Sequence, residues 1–531
     1  MTSFLADLKM YGRFALGLRG FLHHRISLPE AEANIRRRMA ERDNNFLRLV
    51  EKAIFGYPQS PYRPLLKLAG CEMEDIRSMV RNNGLEATLL ELRESGVYIT
   101  FEEFKGRKPL VRNGKVFHLQ PRQFNNPYLS RFYSGTTGGT TGPGTRVEID
   151  LDHMVAMTPH LMLEHHIHGT LNTPLAIWFG TLPDPTGVHA VLMRSRYGAV
   201  PMRWFAPVSD SDLKPALKYR LATRGILMAG RLFGIPLPSP EPLRLDQAAI
   251  IARWSAKMVE LHGACYLTTH VSQALRICLA ASEEGLDLTN VTVTAGGEPP
   301  TPAKVRMITR TGARWAPKYI TVDTGAVGLG CGQPVDGNDL HFLKDSLALI
   351  QYPHQVPGSE MTVQAFNFTT LLPSAPKLLL NVESDDYGII ETRSCGCPLE
   401  AYGFTEHLRD VRSFGKLTGE GVTLVGSEML HILEEVLPTR FGGSPLDYQL
   451  LEEEDQQGFT RLSLLVSPKI QIKDESEIFE TVMEALKRSS TAAHLASALW
   501  KQAETLRVRS QEPIWTSRGK FMPLHRAKLS Q

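Results

Sequence analysis

Cysteine and net charge are both scarce in this chain of 531 residues. Six cysteines over that length do not make a disulfide scaffold, so a reducing, cytoplasmic setting is expected. Lys and Arg number 59 against 56 Asp and Glu, a net charge of +3. So small an excess argues for neither a nucleic-acid nor a membrane-surface partner. No apolar run reaches bilayer length, so no membrane span is expected. Residues 1–24 mix Phe, Leu and Tyr with Lys9, Arg13 and Arg19. They lack a clean apolar stretch and a small-residue cleavage site, and read as an amphipathic helix rather than a signal peptide. The chain also shows no Ser/His/Asp arrangement.

What is present is ordinary globular material, 42% hydrophobic and 22% charged, in a chain long enough for two or more domains. One stretch stands out. Residues 133–147 read Tyr-Ser-Gly-Thr-Thr-Gly-Gly-Thr-Thr-Gly-Pro-Gly-Thr-Arg-Val, with a strand-like run after them. Glycines let backbone N–H groups approach an anion, and threonine hydroxyls add donors without charge. The loop suits a polyphosphate. A Walker A loop is excluded because the Gly-Lys-Ser/Thr ending is missing. A flexible Gly/Thr linker is the alternative.

Residues 1 to about 110 read as helical scaffold, with helices from Leu28 to about Ala53, at Met73 and at Leu85. Residues 150–169 are helical in period and end in His165, His166 and His168, for which a solvated helix end is favoured over a metal site. From Thr173 to Val208, Leu175–Phe179 and Ala190–Met193 read as β-rich runs between turns. Helices are expected over 213–232 and 245–261, and the alternation implies a mainly parallel sheet.

Three further strand ends carry chemistry. Val291–Ala295 runs into Gly296, Gly297 and Glu298, and a helix begins at Thr301. Ligands sit at the carboxyl ends of such strands, although a plain strand-to-helix turn fits the glycines equally well. Tyr319–Val322 runs into Asp323 and a glycine-rich turn, where an acid can hold Mg²⁺ beside phosphates or cap the turn. Asn381–Asp386 ends a strand-like run in a carboxylate that can take two ribose hydroxyls, or it forms a β-turn. After Arg412 the texture changes to a glycine-spaced connector. A compact α+β region follows, with a helix over 427–437, a strand over 461–467 and a helix over 475–489. Lys520 on a glycine turn reads by itself as surface decoration. Cys331, His341, Cys395 and Cys397 offer three thiolates and an imidazole suited to tetrahedral Zn²⁺, or are ordinary reduced cysteines. Cys71, Cys265 and Cys278 read as buried small hydrophobes.

In order and spacing, the stretches from about 125 to 531 resemble the adenylate-forming superfamily of acyl- and aryl-CoA synthetases, closest to its phenylacetate–CoA ligase-like branch. The resemblance implies a large N-terminal α/β domain with mainly parallel sheets and a small C-terminal α+β domain on a hinge. The expected divisions are 1–124, 125–412 and 413–531. Ser134, Gly135, Thr136, Thr137 and Gly138 resemble the phosphate loop of that family, with the usual loop lysine absent. Gly296-Gly297-Glu298 resembles its adenine-pocket segment. Tyr319 to Asp323 resembles the motif whose ring flanks adenine and whose acid holds Mg²⁺, with Ile320, Val322 and Asp323 departing from its letters. Asp386 is similar to the ribose-binding aspartate. Arg412 and Gly415-Lys416 resemble the hinge region, and Lys520 the C-terminal lysine that serves adenylation. Cys395-Gly-Cys397 and Cys331…His341 resemble the two halves of the branch's zinc site.

The resemblance implies an AMP-forming ligase. It would use ATP and Mg²⁺ to activate a carboxylic acid, with Lys520, Arg412 and Thr136 as catalytic residues, and pass the acyl group to CoA. Acceptors in the alternative are a carrier-protein thiol, a protein side chain or an amine, and a catalytically silent nucleotide-binding homologue is a third reading. A homodimer is compatible. The acid pocket is expected between the 178–204 region and 296–325.

Overall fold

Leu175–Trp178, Cys265–His270 and Val291–Gly296 are apolar or β-branched along nearly their whole length and almost wholly buried, the pattern of strands covered on both faces. They form the centre of one sheet in this computed structural model. The structure describes residues 2–129, 132–136, 146–207, 217–355, 362–413, 416–419, 422–425, 429, 431–471, 474–489, 497, 499–514 and 523–526.

The large sheet has twelve strands, numbered in chain order. The first six are β1 Leu175–Trp178, β2 Arg203–Ala206, β3 Pro240–Pro242, β4 Cys265–His270, β5 Val291–Gly296 and β6 Arg314–Thr321. The other six are β7 Gly325–Gly330, β8 Leu340–Phe342, β9 Leu347–Gln355, β10 Thr362–Thr370, β11 Val382–Thr392 and β12 Glu406–Ser413. Their spatial order is β9-β10-β11-β12-β8-β7-β6-β5-β4-β1-β2-β3. The half from β3 to β6 is parallel, fed by crossover helices. The half from β6 to β9 is antiparallel. β6 therefore lies on the seam, parallel to β5 on one side and antiparallel to β7 on the other. This mixed α/β architecture, with a second, smaller sheet near the C-terminus, has the fold class expected.

Helices Ala249–His262 and Val271–Glu283 pack against the parallel half. N-terminal helices cover the antiparallel half, where Phe46, Ile76 and Leu89 share a core with Phe342 and Phe366. Helix Thr2–His23 packs against the hairpin Phe132–Thr136/Arg146–Asp150, and Phe14 meets Tyr133 edge-on at 5.0 Å. The four-stranded sheet is ordered Leu506–Ser510, Thr460–Val466, Tyr448–Glu454, Leu524–Arg526. Its Tyr448, Leu450 and Leu464 continue the apolar core of the parallel half.

Four local expectations are corrected. Ala190–Met193 lies in a helix, Thr186–Ser195, rather than a strand. Nearly every residue there is buried, so the run carries no period to separate helix from strand, and Asp184 starts the helix by accepting from the Thr186 N–H at 2.9 Å. His165 is not a solvated helix end. It is fully buried and hydrogen-bonded to Thr170 at 2.9 Å, while His166 is exposed. Among the described residues, the helix expected over 427–437 includes Met429 and His431, passes through a π-helical turn, Ile432–Val436, and extends to Phe441. Cys265 and Cys278 are buried as expected, but Cys71 is only half-buried.

Candidate active site and candidate metal centre

The carboxyl ends of β4, β5 and β6 open onto one cavity of about 500 Å³. Open α/β sheets bind ligands beyond the carboxyl ends of their strands, where the chain direction switches. Here β4 and β5 run in register to His270 and Gly296. A side chain at Gly296 would meet the Lys318 carbonyl of β6 at 2.7 Å. Gly297 has φ +82°, and a Cβ there would lie 2.7 Å from His270 Nδ1. Both glycines are therefore required by the backbone path.

Glu298 lies on the cavity wall, but its carboxylate turns inward. It accepts from the Ser272 hydroxyl at 2.5 Å and from the Ser272 N–H at 3.3 Å, in the first turn of helix Val271–Glu283. An acid in a first turn satisfies orphan N–H groups and complements the helix dipole. Lys304 Nζ sits 3.8 Å from the same carboxylate and donates to Thr460 of the small sheet at 3.2 Å. Glu298 thus anchors the wall and leaves the cavity lining to the glycines.

Tyr319 stands at a bulge near the end of β6, and its hydroxyl donates to Asp386 Oδ2 at 2.6 Å. Burial, and then the Asp386 carboxylate, hold the Tyr319 phenol well above its usual range. Asp386 lies inside β11 rather than at a strand end, opposite Ser413 of β12, and Arg412 is the next partner, opposite Tyr387. Asp386 and Arg412 both face the cavity. Asp323 follows β6 and accepts from Lys105 Nζ at 3.1 Å. Lys105 is almost wholly buried, and its ammonium lies 4.8 Å from the centre of the Phe104 ring.

Sequence reasoning missed Lys105. It comes from the region read as scaffold, 218 positions before Asp323, and nothing local marks it. His153, His189 and His270 were also missed; all three line the cavity. His153 is buried with neither ring nitrogen hydrogen-bonded. Burial pushes His153 down to about 3 and His189 down to about 4, so both rings are neutral near pH 7. With Met157, Leu161, Phe179 and Met193 they form the apolar end of the cavity. Trp178 and Trp204, expected near an acid pocket, are core residues, and Met202 is exposed. Phe179 and the segment 296–325 do line the cavity.

Ser134, Gly135 and Thr136 have their backbone in a strand paired with Arg146–Glu148. Thr137 and Gly138 lie outside the described residues, as do Gly415 and Lys520. Lys416 and Thr418 sit on a short strand paired with Val422–Val425.

A second cluster lies in the antiparallel half. Cys331 follows β7, His341 is in β8, and Cys395 and Cys397 sit between β11 and β12. One ligand atom from each lies within 4.8 Å of all the others. His341 donates Nδ1–H to the Phe404 carbonyl at 2.7 Å, leaving Nε2 3.6 Å from Cys395 Sγ. Cys331 and Cys395 Sγ are 3.6 Å apart. Tetrahedral Zn–S bonds of about 2.3 Å place sulfurs roughly 3.8 Å apart. Backbone N–H groups of Gly332 and Gln333 point at Cys397 and Cys331 Sγ, each at 3.3 Å. A hydrogen bond from Cys331 holds the Cys397 thiol below its usual range. The donor set, its spacing and the fixed imidazole fit a zinc ion.

No family model matches the chain, and no curated protein matches it. The fold is similar to that of a solved 2-hydroxyisobutyryl-CoA ligase in complex with 2-HIB-AMP and CoA. The two share 14% identity over 92% of this chain and 90% of that one, with a TM-score of 0.52. An amide bond synthetase from Marinactinospora thermotolerans aligns at 11% identity over 91% and 92% of the two chains, with a TM-score of 0.40. A fatty acyl-adenylate ligase from L. pneumophila aligns at 11% identity over 70% and 65%, with a TM-score of 0.33. Such identities speak of fold alone. No helix among the described residues is long and apolar enough to cross a membrane.

Proposed function

We propose that this chain is an AMP-forming ligase that activates a carboxylic acid, aryl or acyl, as its adenylate and passes the acyl group to the thiol of CoA. One observation carries this reading. Four segments far apart in sequence, around Gly296–Gly297, Tyr319–Asp323, Asp386 and Arg412, meet at one cavity at the ends of β4, β5 and β6. The fold it shares with a CoA ligase supports the same reading.

A carboxylate is a poor electrophile. In the first step its oxygen attacks the α-phosphorus of ATP, the bond to the β-phosphate breaks, and pyrophosphate leaves. Positioning and charge neutralisation carry such a step. Gly296 and Gly297 leave a side-chain-free wall for adenine beside the Tyr319 ring, and Asp386 accepts from the ribose hydroxyls. Ser134 to Gly138 hold the leaving phosphates. Asp323 is already paired with Lys105; it would hold a Mg²⁺ that offsets the phosphate charge. Lys520, carried by a small mobile domain over 413–531 that turns on the connector near Lys416, bridges the carboxylate and the α-phosphate. In the second step a thiol attacks the acyl carbon and AMP leaves. The apolar end beside Met157, Phe179 and Met193 takes the acid's tail. Cys331, His341, Cys395 and Cys397 would hold a structural zinc ion, which would tie together the segments that carry them.

Pyrophosphate exchange into ATP, measured across aryl, fatty and amino acids, tests the reading. Exchange is expected with at least one acid, and Lys520→Ala is expected to lower it by on the order of 10²–10³. Exchange without a CoA thioester points instead to a carrier-protein thiol or an amine as acceptor. Absence of exchange with every acid leaves a silent nucleotide-binding homologue.

A further inference from the structure

Helix Leu217–Leu232 buries Thr223, Ile226 and Gly230 against the protein. Its opposite face carries Leu217, Leu221, Met228 and Leu232, exposed by 67%, 57%, 60% and 78%. At about 100° per residue, these four lie within roughly 60° of one another, diametrically opposite the buried side. Arg220, Arg224 and Arg231 flank this ridge on one side and Lys218 on the other. The helix contains four cations and no acid, with Asp210 and Asp212 upstream of it. Helix Thr2–His23, which packs against it, repeats the device. Leu16 is 85% exposed there, opposite buried Phe14, Leu18 and Phe21, with Arg13 and Arg19 on either side.

Exposed leucines scattered singly need no explanation, but an apolar ridge bordered by cations on both sides does. A second copy of this chain is a poor cover, because a two-fold contact sets the same cations against each other. A surface with an apolar interior and negative headgroups satisfies both parts at once. We propose that this face docks the protein on an anionic membrane surface, with the leucine ridge entering the headgroup boundary and Arg224 and Arg231 on lipid phosphates and carboxylates. The whole-chain charge of +3 conceals the patch, since acids elsewhere cancel it. The proposal is independent of the ligase reading and places the protein beside the bilayer without a span.

Flotation of the full-length protein with vesicles tests it, comparing phosphatidylcholine alone with phosphatidylcholine containing phosphatidylserine. Binding to the anionic vesicles at low salt is expected, with little on the neutral ones, and molar salt should remove it. Arg224→Gln with Arg231→Gln should cut partitioning roughly thirtyfold. Leu221→Glu with Met228→Glu should abolish it while leaving the circular dichroism spectrum unchanged, since both side chains are exposed. Failure of the wild-type protein to float with anionic vesicles overturns the proposal, as does flotation that survives the glutamates. Sedimentation showing a dimer that Leu221→Glu splits overturns it too, by assigning the ridge to contact between copies.

Discussion

Gly297 shows how one backbone position holds the site. Its φ of +82° and its closeness to His270 leave no room for a side chain. Gly297→Ala should lower stability by about 1–3 kcal/mol, read as a fall in Tm, and weaken ATP binding more than a surface Gly→Ala does. His153 and His189 set a pH dependence. Burial lowers their folded values to about 3 and 4, against an ordinary value near 6.5. Between those limits the unfolded chain binds more protons than the folded one, so stability is complete above pH 6.5 and falls as the pH drops toward 4. His153→Gln should flatten that slope in urea unfolding at pH 7.5 and pH 5; an unchanged slope contradicts the assignment. At this scale the sequence is only partly legible. Gly296-Gly297 is visible because a glycine pair is a local signal, whereas Asp386, read as a strand-end acid, lies inside β11. Lys105 and His153 are not, because their meaning depends on what a distant segment brings to them.

Among the elements, β6 decides where a ligand can sit, since it joins the parallel half to the antiparallel half. Only its end, Tyr319–Thr321, is legible, because Arg314, Pro317 and Lys318 break the apolar run before it. Its place on the seam is not, because pairing order depends on contacts between residues far apart. The helix Thr186–Ser195 escapes recognition for a different reason: burial on all sides erases the period that separates helix from strand. The cysteine cluster is legible as a ligand set only because cysteine is rare in this chain and the family resemblance joins Cys331 and His341 to the C-x-C. Zinc there should stabilise the antiparallel half by mass action, by about 4 kcal/mol when free metal exceeds its dissociation constant a thousandfold. Cys395→Ser should remove zinc from the purified protein by elemental analysis and lower Tm by several degrees. A wild-type protein without zinc after growth in zinc-supplemented medium contradicts the site.

At the scale of the whole molecule, the large sheet and the small one share an apolar core, and Lys304 links Glu298 of one to Thr460 of the other. That link ties the large sheet to the small one. The division into a large α/β part and a smaller α+β part follows from the change of texture after Arg412. How the two parts meet follows only from the folded chain. The central claim is that a nucleotide binds where β4, β5 and β6 end. A crystal structure of the protein with ATP tests it most directly. Adenine is expected against Tyr319 and Gly297, the ribose on Asp386 and the phosphates running toward Thr136. A nucleotide bound elsewhere, with Asp386 and Gly297 untouched, contradicts it.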